Sequence, residues 1–173
     1  MTASTVLFLL LRAAHVLLAA IWVGATVFTT MLLMPAVQDS GPAGGQVVGA
    51  LMRRKMPAFM AALGGTTVLT GLYLYYRFTG GFDPALSGSM GARVFGAGGL
   101  AGILALIIGG AVISRGTKKL AALGDRLPGT PEAQRGAVIA EMNDARQRVA
   151  TFSRIVIALQ VIAVVLMAIG HYV

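Results

Sequence analysis

The chain predicts an all-α, four-helix transmembrane bundle of up-down topology, with a cytoplasmic helical hairpin between spans three and four. Three observations carry that prediction. Four long apolar runs lie near 6–34, 57–77, 93–114 and 154–172, and about 20 consecutive apolar residues cross a bilayer core. The chain is 57% hydrophobic and 12% charged, with a mean hydropathy of +0.81. Its basic residues are also segregated: eleven of the fourteen Lys and Arg fall in or beside the first and third connections.

That segregation predicts orientation. Arg53, Arg54 and Lys55 mark the first connection, and the third carries Arg115, Lys118, Lys119, Arg126, Arg135, Arg146, Arg148 and Arg154. Only Arg12, Arg77 and Arg93 fall on the other side. Basic loops stay in the cytoplasm, so both termini are expected outside a bacterial-type inner membrane. The net charge of +8 is thereby assigned to topology and anionic lipid rather than to nucleic acid. A chain of 173 residues has room for one compact unit.

The first run has no basic residue before Leu7, is interrupted by Arg12 and continues to Met34. It reads as a retained helix rather than a signal peptide. Met34-Pro35 and the 39–45 stretch are expected to end it. The second helix begins near Arg53-Arg54-Lys55-Met56-Pro57 and closes on Tyr73, Tyr75 and Tyr76, which suit an aromatic belt. A short outer loop follows over 79–91. The third helix carries Gly98, Gly102, Ala105 and Gly109 on one face, which permits close helix approach or room for a flat cofactor.

The only sizeable polar stretch runs from Ser114 to Arg154. Thr130-Pro131-Glu132 reads as a helix start, with threonine as the cap and proline at the first helical position. From Pro131 the chain can continue as one helix into the fourth span. The third helix can extend past Ser114 through Lys119 before Gly124 and Pro128 turn it, giving a hairpin over 115–153. Its mixed charges suit a solvated face or a docking surface.

Ionisable groups inside spans are costly and draw functional attention. His15 lies three residues beyond Arg12 and shares a face with Trp22; His171 is two residues from the C-terminus. Antiparallel packing brings both imidazoles toward the same leaflet. Paired histidines on facing helices can ligate a b-type haem, and interfacial cations such as Arg12, Arg77 and Arg93 can hold its propionates. The plainer alternatives are a solvated His171, a His15 bonded across helices, and arginines snorkelling to headgroups. Methionines suggest Cu(I) through Met31 and Met34, or Met52, Met56 and Met60, although methionine is also ordinary apolar filler.

Several chemistries are excluded. With no cysteine, there are no disulfides, iron–sulfur clusters, thiolate zinc sites or covalent c-type haem. No acid lies within a span, and neither HExxH nor GxxxxGK[ST] occurs.

The stretch His15-Val16-Leu17-Leu18-Ala19-Ala20-Ile21-Trp22-Val23-Gly24 resembles the first-helix signature of the CopD-like and HemJ-like four-helix membrane proteins. Met52-Arg53-Arg54-Lys55-Met56-Pro57 with Thr70-Gly71-Leu72 resembles their second helix and its basic approach. Leu166-Met167-Ala168-Ile169-Gly170-His171-Tyr172 is similar to the closing motif of CopD-like chains, where arginine is common at the position of His171. The resemblance implies haem b or copper association, with His15 matching a helix-one histidine that HemJ-like proteins use. It implies no particular reaction: the HemJ-like lysine of helix three and the Asn-Glu near helix four are absent.

The expected function is therefore a b-haem-associated redox or electron-transfer protein. His15 would be the axial ligand and His171 the second. Arg12 and Arg77 would hold propionates, with Trp22, Gly98 and Gly102 lining the ring. The alternatives are a cofactor-free accessory subunit of a larger respiratory or photosynthetic membrane complex, or a copper uptake or tolerance protein. Expected partners are the lipid bilayer and membrane-complex subunits or further copies of the chain.

Overall fold

A computed structural model of the chain describes residues 3–173. Its described residues form helices and turns, with no strand among them. The helices are α1 (Ala3–Phe28), α2 (Met34–Asp39), α3 (Pro42–Arg53), α4 (Met56–Phe78), α5 (Pro84–Ser87), α6 (Met90–Ile108), α7 (Ser114–Arg126) and α8 (Glu132–Ile169). Four continuous helical stretches are long and apolar enough to cross a membrane: Ala3–Asp39, Met56–Phe78, Met90–Gly129 and Glu132–Ile169. The four pack in a ring, with α1 against α4, α4 against α6, α6 against α8, and α8 back against α1.

The surface is apolar where a soluble protein would be polar. Leu10, Leu17, Leu69, Leu100 and Val165 all face outward, as side chains solvated by lipid do. The centre is small: Trp22, Leu63, Ala105 and Val156 form it, one from each spanning helix.

The first span does not stop at Pro35. A π-helical turn over Thr29–Leu33 precedes the proline, and the Met34 N–H bonds Thr29 O, five residues back. Proline in a regular helix clashes with the carbonyl four residues earlier and has no N–H to give. The widened turn relieves that conflict, so the helix continues to Asp39. A second π-helical turn, Gly109–Ile113, joins α6 to α7 without ending that helix.

Helix α3 occupies part of the stretch expected to be a break. Gly41, at φ 56° and ψ −130°, takes a backbone conformation open to glycine alone, and Pro42 starts the new helix immediately afterwards. At the other end Lys55 adopts the left-handed conformation (φ 56°) and redirects the chain into α4. Within the outer loop, Asp83 caps the short α5 by accepting from Ala85 N and Leu86 N.

Helix α8 has 38 residues, about 57 Å at 1.5 Å per residue. A hydrocarbon core of about 30 Å leaves nearly half of it outside, where it pairs with α7 as the hairpin. Lys119 and Glu141 form an ion pair at 2.6 Å across it, and Leu123 is buried beneath. Thr130 is not the cap of α8. Its hydroxyl donates to Arg126 O instead, and Pro131 occupies the cap position with no side-chain bond.

Candidate functional site

Arg12, His15, Arg77, Arg93 and His171 lie toward the same end of the bundle, the one at which α1 begins and α8 finishes. His15 projects from α1 into the seam with α4. Its Nδ1 lies 2.9 Å from Thr67 O and 3.1 Å from Thr70 Oγ1. A carbonyl oxygen can only accept, so Nδ1 carries the hydrogen and donates it. The Thr70 hydroxyl points its own hydrogen at backbone, bonding Thr66 O at 2.8 Å and Thr67 O at 3.0 Å, which turns its lone pairs toward His15. The imidazole is thereby fixed in one tautomer, and Nε2 bears a lone pair with no hydrogen-bond partner among the described residues.

Gly71 makes this arrangement fit. A methyl group at position 71 would lie 2.8 Å from His15 Cε1, so any larger residue would drive the ring off its acceptors. Thr67 is itself buried, and its hydroxyl donates to Leu63 O at 2.8 Å.

His171 stands in the turn beyond α8, exposed to the surroundings. Arg12 Nη2 donates to its Nε2 at 2.8 Å. The ring also meets Phe95 edge to face at 5.0 Å, and Phe95 meets Phe78 likewise at 5.1 Å. Gly170 is packed so closely on Phe95 that an added methyl would fall 2.7 Å from it. The C-terminal turn is thus docked on α6 and bonded to α1.

The remaining predicted residues lie elsewhere. Trp22 is buried in the central core, with its indole against Gly64. Gly98 faces α8, where an added methyl would meet Leu166, Ala163 and Met167 at 3.2–3.3 Å. Gly102 has open space around its missing side chain, and the buried stripe of α6 runs through Gly98, Ala101 and Ala105 instead. Arg77 and Arg93 are exposed at the ends of α4 and α6, neither of them in an ion pair among the described residues. Met31 is exposed and Met34 half-buried.

Three partners of the histidines lie outside the predicted set: Thr67, Thr70 and Phe95. The threonine spacing in an otherwise apolar helix was the available signal for the first two. Deeper in the bundle a second polar link crosses from α8 to α1. Gln160 Nε2 donates to Thr26 Oγ1 at 3.3 Å, and Thr26 passes its hydrogen to Trp22 O at 2.8 Å. Gln160 is 1% exposed, and its Oε1 has no partner among the described residues. Among the described residues no group of three or more His, Cys, Asp or Glu is placed to hold a metal ion.

The apolar surface, the spanning helices and the polar groups confined to seams and ends define a multi-pass integral membrane protein built as an all-α four-helix bundle. Comparison with protein-family models, curated proteins and solved structures finds no match.

Proposed function

We propose that the chain is a b-haem-associated membrane protein of the CopD-like and HemJ-like kind, with His15 as axial ligand and a redox or electron-transfer role. The orientation of His15 carries this reading. Metal-ligating histidines usually give the other ring N–H to a carbonyl or carboxylate, which fixes the tautomer and raises ligand basicity. His15 gives its Nδ1–H to Thr67 O and keeps Nε2 free for an iron.

Arg12, one helical turn nearer the end of the same helix, would supply a cation for a propionate, and Arg77 a second. His171 would help hold the haem only after its Nε2 left Arg12, so the reading rests on His15, with His171 as the subordinate ligand. Trp22 and Gly98 are already packed, against Gly64 and α8 respectively, and leave no opening for the macrocycle, so the ring would have to lie beside His15 without them. Haem b would bring one-electron redox chemistry to the site; His15 would position it, and the surrounding apolar helices would keep water from it. The hairpin belongs in the cytoplasm and both termini outside, in keeping with the bias of the basic residues.

The test is the absorbance of detergent-purified protein expressed with ample haem, oxidised and then dithionite-reduced. A Soret band that shifts on reduction, lost in His15→Gln and retained in His171→Gln, supports the assignment. A flat spectrum removes it.

A second reading has its own observation. Gly98 is already filled by α8, and His171 already engaged by Arg12, as suits a cofactor-free accessory subunit of a larger membrane complex. That protein would be colourless, would co-purify with partner subunits and would tolerate His15→Gln. Copper uptake is the third reading, resting on the Met31 and Met34 thioethers; metal content that falls when both are replaced would support it.

A further inference from the structure

At the hairpin end, a groove of about 640 Å³ opens between the start of α4 and the length of α7. Ala58 and Ala61 line its α4 wall and Ser114 its inner end; Lys55 and Lys118 flank it, and Asp125 closes the outer mouth. These residues are ordered by depth. Ala58 and Ala61 lie about 4.5 and 9 Å into α4 from Lys55, while Lys118 and Asp125 lie about 6 and 16 Å along α7 beyond Ser114. The groove therefore passes from small apolar residues within the span, to two ammonium groups at its boundary, to a carboxylate in the aqueous phase.

The two lysines are uncommitted. Among the described residues neither is in an ion pair, whereas the adjacent Lys119 is bound to Glu141. Lys55 is held in the left-handed backbone conformation, which residues other than glycine rarely adopt.

We propose that this groove binds an anionic phospholipid, with the headgroup phosphate between Lys55 and Lys118 and an acyl chain lying along Ala58 and Ala61. Lysine ammonium groups bind phosphate as point charges, and basic pockets between spanning helices take anionic headgroups. Charge complementarity selects the occupant: a zwitterionic lipid brings its own cation, which the two lysines repel. The short alanine side chains leave apolar space beside α4 for an acyl chain, and Asp125 repels phosphate from the outer mouth, keeping it at the boundary. The groove joins an apolar wall to a cationic boundary, which matches a lipid rather than free phosphate.

The test uses the intact protein in detergent with short-chain phosphatidylglycerol, short-chain phosphatidylcholine, glycerol phosphate and inorganic phosphate as probes. Native mass spectrometry and the thermal midpoint are read together. Phosphatidylglycerol is expected to remain bound and raise the midpoint, with phosphatidylcholine much weaker. In the Lys55→Gln/Lys118→Gln variant the apparent affinity for phosphatidylglycerol should fall about tenfold or more, as for the loss of two cations at a membrane surface. Lys55→Gly/Lys118→Gln should behave alike; because glycine accepts the φ of position 55, this variant separates lost binding from a disturbed fold. Equal binding of the two lipids would overturn the proposal. So would equal loss in Arg146→Gln/Arg148→Gln, which would reveal a diffuse field, or full competition by glycerol phosphate or inorganic phosphate, which would reveal an anion site with no use for the acyl chain.

Discussion

Arg12 and His171 are 159 residues apart and meet at 2.8 Å, Nη2 to Nε2. A guanidinium has no acceptor, so the imidazole must receive this bond with Nε2 unprotonated. The contact joins the first helix to the turn after the last and closes the bundle at its terminal end. It also divides the work of the two histidines: His171 is a clasp, while His15, held through Nδ1, keeps its second nitrogen available.

The clasp predicts an asymmetry between substitutions. His171→Gln retains an acceptor for Arg12 and should leave the C-terminal turn docked. His171→Lys sets two cations together and should release it, at a cost of about 1 kcal/mol for the lost bond. A cysteine introduced at Val173 reports the difference through its rate of maleimide labelling. Equal rates in the two variants would show that packing on α6, through Phe95 and Gly91, holds the turn without the bond.

Gly71 should be intolerant of alanine. The added methyl would sit 2.8 Å from His15 Cε1, so the ring must move away from Thr67 O. Overpacking of this kind costs roughly 1–3 kcal/mol, visible as a lower thermal midpoint, and any haem absorbance should fall with it. Gly65→Ala is the control, because its added methyl meets nothing within 4 Å. Equal midpoints for the two variants would mean that the ring is not wedged.

Much of this architecture is legible in the residues, and the rest depends on how helices are rotated against one another. Four apolar runs and a polar stretch free of proline after Pro131 suffice for four spans and a projecting hairpin. Pro35 misleads because a proline rule applied to a regular helix takes no account of the π-helical turn that accommodates it. Helix α3 is obscured by the glycines around Pro42. At the site, the spacing of Arg12 and His15 is visible in one helix. Which threonine faces His15 depends on the register of α4 against α1, and a single chain carries no sign of that register. The same applies to α6, where the buried stripe passes through Ala101 and leaves Gly102 beside open space.

Orientation is open to direct test, since the native chain has no cysteine and any introduced one is unique. Val173→Cys should react with a membrane-impermeant maleimide added to intact cells, and Gly129→Cys, at the hairpin tip, should react only after permeabilisation. The reverse pattern would invert the topology argued from the basic residues.

The hairpin should respond to acid. The Lys119 ammonium, bonded directly to Glu141, holds its carboxyl below the ordinary carboxylate range. For a depressed carboxyl the stabilisation is complete above the unfolded value and is lost as pH falls through the folded one. Both partners are about half exposed, so the effect is small and screened by salt. Spin labels on cysteines at Ala122 and Ala137 should show a broader distance distribution in mild acid, and Glu141→Gln should show that breadth at neutral pH. A distribution unchanged by either would show that apolar packing, such as that of Val149 on Gly116, holds the arms together without the ion pair.

Gln160 is the least economical residue of the core. It is 1% exposed and commits its amide to one long bond to Thr26, while Oε1 has no partner among the described residues. An unmet buried acceptor costs about 1–3 kcal/mol, and an apolar side chain of similar shape can replace such a group with little loss or some gain. Polar bonds between spanning helices average only about 0.6 kcal/mol, so the surviving bond does not offset the orphan. Gln160→Met is therefore expected to match or exceed the parent in thermal midpoint, whereas Gln160→Ala should fall by about 2 kcal/mol or more through the cavity it leaves. A Met variant as unstable as the Ala variant would show that Oε1 is bonded in the membrane, to an internal water or a bound molecule. The α1–α8 seam would then be a polar site in its own right.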